Sequence, residues 1–216
     1  MKRKRWFAMD RKGLFLVFEG IDGAGKSSQL LRTKAYLEER GYEVVTTREP
    51  GGTAIGEKIR GLLLDPENSA MNDRCELLLY GASRAQHVAE VIAPALHEGK
   101  AVLCDRFSLS TAAYQGYGRG LDLSLLETVN RAAVSGIEPD CTIVVDVSAE
   151  TGAKRVSVSR GEPKDRLERE KSDFFCRVRQ GFLTEAEKDP KIVVVDGEAS
   201  EEEVFDSILR ELEPLL

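Results

Sequence analysis

No apolar run in this 216-residue sequence approaches the roughly 20 residues a helix needs to cross a bilayer. The basic start, Met1-Lys2-Arg3-Lys4-Arg5-Trp6-Phe7-Ala8-Met9, lacks the apolar centre of a secretory signal. Positive charge is not in excess. The net charge is −6, which argues against a surface that coats nucleic acid. Cysteine is scarce and scattered: Cys75, Cys104, Cys141 and Cys176 form no C-x-x-C pair. That excludes the usual zinc spacings and points to reduced core thiols in a cytoplasmic protein. Internal repeats and low-complexity tracts are missing as well. What remains has the length of one α/β domain with a sizeable core, over residues 13–216. Residues 1–12 read as a basic, disordered tail, with translation from Met9 as one variant and a nucleic-acid or membrane arm as the alternative.

The densest signal is Gly20-Ile21-Asp22-Gly23-Ala24-Gly25-Lys26-Ser27, followed by Ser28. It matches G-x-x-x-x-G-K-[ST], the phosphate-binding loop. Its context fits, since Leu14-Phe15-Leu16-Val17-Phe18 reads as a buried strand and Ser27 onward as a helix. Glycines let backbone N–H groups turn inward onto an anion, and the helix N-terminus adds partial positive charge at the same place. In that motif Lys26 reaches the β- and γ-phosphates and the Ser27 hydroxyl ligates Mg²⁺. The loop therefore predicts binding of a nucleoside triphosphate with its magnesium.

Downstream, apolar strands near 43–47, 101–105, 141–147 and 191–195 alternate with helical stretches. This predicts an open parallel sheet covered on both faces. A helix over 54–64 is expected to turn Ile55, Ile59, Leu62 and Leu63 inward. A long apolar helix spans 74–97, bent or broken at Pro94, and helix is expected again over 167–188. Asp105 ends its strand where such sheets place ligands, which suits a carboxylate beside the metal and Ser27. Asp146 is a second candidate, with a plain strand-end residue as the alternative. Arg48, Arg60, Arg84 and Arg106 all fall on the segments that face the strand C-termini. Guanidinium groups grip phosphate bidentately, so together they suggest a second anion pocket, for a phosphorylated acceptor. Arg160, Lys164, Arg166 and Arg169 surround Gly161 and Pro163 in an insert that reads as a lid over about 160–168. The phosphate loop carries no arginine of its own, so the lid is expected to supply charge to the transition state.

The ordered set Phe18 to Ser27, Arg48-Glu49-Pro50-Gly51-Gly52-Thr53, Leu77 to Arg84, Asp105-Arg106-Phe107, Ser110 to Gly116, Asp165-Arg166 and Asp173-Phe174-Phe175 resembles thymidylate kinases. The likeness covers nearly the whole chain after about Gly13. It implies phosphorylation of dTMP to dTDP with ATP and Mg²⁺, on a five-stranded parallel sheet, in a cytoplasmic homodimer joined through long helices. It implies no nucleic-acid or membrane partner. By position, Gly20 to Ser28 would hold ATP, Ser27 and Asp105 the metal, and Lys26, Glu49, Arg106, Arg160 and Arg166 the catalytic charges. Asp22 matches the acid that binds the acceptor's 3′-hydroxyl, Tyr80 the aromatic stacked on thymine, and Arg84 the donor to the base. Arg60 and Arg106 match the monophosphate contacts. Thr111, Tyr114 and Gln115 match the base edge and deoxyribose wall. Gly23 stands where eukaryotic members carry arginine, so the resemblance is to the bacterial subgroup. The rival readings are a P-loop kinase for another acceptor and a switch-type ATPase that changes a binding surface on hydrolysis.

Overall fold

The computed structural model describes residues 13–159 and 165–216. The expected tail over 1–12 and the centre of the expected lid, including Arg160 and Lys164, lie outside the described residues. Five strands run parallel in the order β2-β3-β1-β4-β5: β1 (Leu14–Glu19), β2 (Val44–Arg48), β3 (Ala101–Asp105), β4 (Cys141–Asp146) and β5 (Ile192–Asp196). The central β1 is buried at all six positions, which is why it reads as an unbroken apolar run and not as an alternation. Its side chains still alternate between faces. Leu14, Leu16 and Phe18 enter the larger core with Leu103, Ile143, Phe182 and Ile208. Phe15 and Val17 enter a smaller one with Val88, Ile92 and Phe107.

Register brings the strand ends together. Phe18 pairs with Asp105, and Arg48 pairs with Asp105 from the other side. The turn after β1 and the turns after β2 and β3 therefore open onto one edge. Helix α1 (Lys26–Glu39) starts directly from Gly25, whose φ of 96° places it in the left-handed region. Gly23, at φ 80°, lies so close to α7 (Ala149–Ser159) that a Cβ there would sit 2.3 Å from the Gly152 carbonyl oxygen.

Helix α2 (Ala54–Leu64) has the expected limits but not the expected inward face. Leu63 is buried, whereas Ile55 and Leu62 are exposed. The helix packs against α3 (Asp73–His87), and Gly56 and Leu63, seven residues apart, form its buried line. The long helix continues through a π-helical turn at Val88–Ile92 into α4 (Ala93–His97). Pro94 brings no N–H, and its ring would crowd the carbonyl four residues back; the wider turn accommodates both, with Ala93 N–H bonded to Val88 O, five residues earlier. A short α5 (Ser108–Thr111) runs into a second π segment, Ala112–Gly118, and α6 (Leu123–Val134) follows. Helix α8 starts at Ser172 and ends at Ala186, later than the expected 167. The Asp165 carboxylate accepts the backbone N–H groups of Leu167 and Glu168, so the chain turns there before it can enter a helix. Helix α9 (Glu201–Leu212) opens with Ser200 and Glu203 in a reciprocal capping box. The thiol expectation holds for half the set: Cys104 and Cys141 are buried, but Cys75 and Cys176 are exposed, and all four are free.

Phe182 on α8 is 1 % exposed and meets Tyr114 edge-on at 6.2 Å. Phe182→Ala should cost about 3–5 kcal/mol of stability, read from the midpoint and slope of urea unfolding.

Candidate active site

Among the described residues, two neighbouring cavities at the strand C-termini share part of their lining. The first lies over the phosphate loop and is lined by Gly23, Lys26, Ser27, Arg48, Asp105 and Arg155, among others. The second is bounded by Tyr80, Arg84, Thr111, Tyr114 and Gln115. Asp22, Glu49, Arg60 and Arg106 line both. Two ligands placed in these cavities would meet at two carboxylates and two guanidinium groups.

In the first cavity, Ser27 Oγ donates to Asp105 Oδ2 at 3.1 Å. The other oxygen, Asp105 Oδ1, is buried and has no hydrogen-bond partner. A hydroxyl and a carboxylate with one oxygen to spare are hard donors of the kind Mg²⁺ takes, so these two residues fit that ion. Lys26 Nζ donates to the carbonyls of Gly20 at 3.1 Å and Ile21 at 3.0 Å, which holds the ammonium under the loop. Burial and the nearby Arg106 lower its pKa. Asp146, the second metal candidate, is tied to Arg179 through two 2.7 Å hydrogen bonds and acts as a strut at the end of β4.

Arg106 follows β3 with a φ of 72°, a strained value for a residue with a side chain. Glu19, fully buried at the end of β1, is what holds that turn. Its Oε1 accepts Phe107 N at 2.8 Å and Ser110 N at 3.0 Å, and its Oε2 accepts Ser110 Oγ at 2.5 Å. Burial raises the Glu19 pKa, and Arg106 and these donors oppose the rise. The Arg106 side chain then reaches Asp22 Oδ1 at 2.9 Å and Ser110 Oγ at 3.1 Å.

The second cavity is framed by α3. Glu76, Tyr80, Arg84 and His87 are spaced four, four and three residues apart, which places them on one helix face. Arg84 does not reach water, being 1 % exposed. It donates to Glu49 Oε2 at 2.8 Å, Thr111 Oγ1 at 2.9 Å, Asn130 Oδ1 at 2.6 Å and Phe107 O at 3.0 Å. Those four bonds leave one of the five guanidinium N–H groups for the cavity. The second Glu49 oxygen lies 2.9 Å from His87 Nδ1, and His87 Nε2 lies 2.6 Å from Thr47 Oγ1. A carboxylate can only accept, so His87 Nδ1 carries the hydrogen of that contact, and Thr47 closes the other side of the ring. Burial pushes the Tyr80 hydroxyl pKa up, which keeps that ring neutral.

Most of the residues expected at the site line these two cavities, namely Asp22, Gly23, Gly25, Lys26, Ser27, Ser28, Glu49, Arg60, Tyr80, Arg84, Asp105, Arg106, Thr111, Tyr114 and Gln115. Arg60 donates to Pro50 O at 3.0 Å. Arg48 lines the first cavity only and pairs with Glu57 at 3.0 Å. Arg166 stands apart from the phosphate loop. Its Nε donates to Leu63 O at 2.8 Å and its Nη2 faces Glu76 Oε2 at 2.5 Å. It fastens the base of the insert to α2 and α3. Sequence reading passes over Glu19, Glu76, His87, Asn130 and Arg155. Arg155, on α7, donates to Gly197 O at 3.0 Å beside the phosphate loop. For three of them a signal exists, because Glu19 ends an apolar strand, and Glu76 and His87 are polar positions in register with Tyr80 and Arg84.

Arg84 and Glu49 are both nearly sealed from water, at 1 % and 3 % exposure. Removing one charge from such a pair leaves the other uncompensated. Arg84→Ala should therefore destabilise the protein without ligands by about 3–5 kcal/mol, measured by chemical denaturation.

The thymidylate kinase family model matches residues 18–208. A thymidylate kinase of Pelotomaculum thermopropionicum is 49% identical over 206 residues, covering 95% of this chain and 95% of its own. One of Desulfosudis oleivorans is 48% identical, covering 93% and 96%. The crystal structure of thymidylate kinase from Ehrlichia chaffeensis superposes with a TM-score of 0.75 at 35% identity, over 93% of this chain and 98% of that one. A phosphate loop beside an arginine-lined second cavity, and agreement along nearly the full length, lead to one assignment: the chain belongs to the thymidylate kinase family.

Proposed function

We propose that the protein transfers the γ-phosphoryl group of ATP to the 5′-phosphate of dTMP, giving dTDP, with Mg²⁺ bound at Ser27 and Asp105. The observation that carries this reading is the meeting of the two cavities at Asp22, Glu49, Arg60 and Arg106. The loop from Gly20 to Ser28 holds the triphosphate on its backbone N–H groups. Two hydrogens of the Lys26 ammonium are engaged by loop carbonyls, and the third serves a β- or γ-phosphate oxygen. When bound, the metal neutralises charge on the phosphates. Arg60 and Arg106 hold the acceptor's phosphate, with Arg106 exchanging part of its bond to Asp22 for phosphate oxygens. Asp22 accepts the 3′-hydroxyl. A phosphate monoester is mostly dianionic at neutral pH, so the attacking oxygen needs no general base. The work left to the protein is alignment and charge compensation. Glu49 holds the base-side Arg84 in place while bordering the cavity where the phosphates meet.

In the second cavity Tyr80 stacks on the pyrimidine and Arg84 donates to its 4-carbonyl, with Thr111, Tyr114 and Gln115 forming the edge and sugar wall. Of the two insert arginines expected to act in catalysis, Arg166 is held by Glu76, and Arg160 lies outside the described residues. Arg155 is the cation of α7 that lines the ATP side. Exposed Ile55 and Leu62 on α2 and Leu78 on α3 support a homodimer through these helices. Among the described residues no helix is long and apolar enough to cross a membrane. Free thiols and dependence on ATP support a cytoplasmic location.

Two measurements test this reading. ADP release, followed by a coupled assay, should wait for an added monophosphate and rank dTMP over dUMP over dCMP. The 5-methyl group is worth about 0.8 kcal/mol by transfer and about 1–3 kcal/mol in a shaped pocket, so dUMP should turn over slowly but measurably. Equal use of dCMP and dTMP would overturn the acceptor assignment, and rapid ADP release without acceptor would favour a switch-type ATPase. Asp105→Asn should abolish most turnover and leave the thermal melt close to wild type. Normal turnover with unchanged Mg²⁺ dependence would reassign Asp105 to capping the next turn.

A further inference from the structure

Glu76 sits on α3 one turn before Tyr80, with its side chain 1 % exposed. Its Oε1 accepts Gln115 Nε2 at 2.8 Å and Arg119 Nε at 3.3 Å. Its Oε2 accepts Arg119 Nη2 at 3.2 Å and faces Arg166 Nη2 at 2.5 Å. Burial works against its charge, but the Gln115 amide, Arg119 and Arg166 outweigh that and lower its pKa. The group is therefore ionised at neutral pH, and an ionised carboxylate can only accept hydrogen bonds.

A glutamine amide turned over by 180° keeps its shape and exchanges a donor for an acceptor. Beside Glu76 only one orientation works. The Gln115 NH₂ must face the carboxylate, which leaves its carbonyl oxygen for the cavity that Gln115 lines. On the reading above, which this inference rests on, that cavity holds a pyrimidine with its 4-position toward Arg84. Thymine and uracil carry a hydrogen on N3, and cytosine carries a lone pair there. A carbonyl fixed in place complements the first two bases and repels the third. Arg84 can discriminate only at the 4-position. We infer that Glu76 is a specificity-determining positioning residue, which locks the Gln115 amide so that the pocket takes a base with an N3 hydrogen and refuses cytosine.

The test is a double-mutant cycle with dTMP, dUMP and dCMP as acceptors. In Glu76→Gln the neighbour can accept or donate, so Gln115 is free to turn over. The ratio of kcat/KM for dTMP over dCMP should fall about tenfold or more, the weight of one hydrogen bond together with the repulsion it replaces. The dTMP over dUMP ratio should not move, because both bases carry the N3 hydrogen. Gln115→Met removes the amide at nearly constant length, and adding Glu76→Gln to it should change the cytosine ratio no further. A folded Glu76→Gln protein with wild-type refusal of dCMP would overturn the inference, as would an equal effect of Glu76→Gln when it is combined with Gln115→Met. Should loss of the charge beside two arginines unfold Glu76→Gln, the Gln115→Met protein decides alone, and undiminished refusal of dCMP there overturns the inference. Failure of the acceptor reading looks different: wild type itself would then show no preference for dTMP over dCMP.

Discussion

Everything at this site depends on three parallel strands ending at the same level. Phe18, Asp105 and Arg48 lie side by side across β1, β3 and β2. A parallel pair shifted by one residue would turn each side chain to the opposite face of the sheet, and β1, buried on both faces, fixes its own register through Phe15, Val17 and their counterparts. The consequence is chemical. Ser27, one residue into α1, comes within hydrogen-bond reach of Asp105 only because the strands before each of them stop together. Packing of apolar side chains thus sets the distance between a hydroxyl and a carboxylate that lie 78 residues apart in sequence.

The second tier is made of charges without water. Glu19, Glu49, Glu76 and Arg84 are all buried, and none is there for stability alone. A well-packed apolar group of the same size is often equal or better in that respect. What the charges provide is fixed direction. Glu19 holds the strained turn that aims Arg106, the Glu49 pair holds Arg84, and Glu76 holds Gln115 and the foot of the insert through Arg166. Preorganised dipoles and charges of this sort do not need to reorient when substrate charge develops, which is where most of the electrostatic advantage of an enzyme lies. The same arrangement makes such residues costly to alter, since removing one partner leaves the other buried and unpaired.

Much of this is legible from the chain alone, for identifiable reasons. The phosphate loop declares itself because its chemistry needs glycine where φ is positive and lysine and serine at fixed spacing, with a strand before and a helix after. The parallel sheet follows from apolar runs separated by helices. The orientation of α2 is not legible. Ile55, Ile59, Leu62 and Leu63 look like one amphipathic face, yet among the described residues Leu63 is buried, Ile59 is half-buried, and Ile55 and Leu62 are exposed. Helical periodicity reports apolar surface and does not say which neighbour covers it. The start of α8 is misplaced in sequence because Asp165 turns the chain by accepting two backbone N–H groups, a local competition that helix propensity does not register. Arg166 looks like a catalytic cation because a charged insert invites that reading. Its partner, Glu76, lies far back in the sequence on another helix and meets it only once the chain is folded.

Of the two π segments, the second shows how an irregular part of a helix serves the site. One follows α3 and the other contains Tyr114 and Gln115. A π turn rotates the side chains that follow it relative to an α-helix and widens the backbone, at the expense of hydrogen-bond geometry. After α3 the cause is local, since Pro94 cannot serve as a donor. Between Ala112 and Gly118 there is no proline. There, Gly116 and Gly118 let the widened turn press close to neighbours: a Cβ would meet Leu123 Cδ2 at 2.6 Å from Gly116 and Phe174 Cε2 at 2.7 Å from Gly118. Close approach on that side fixes the rotation of the segment, which sends Gln115 toward Glu76 and Tyr114 toward Arg106. The glycines of this stretch, which in sequence only loosen a helix, are thereby part of how the second cavity acquires its polar wall.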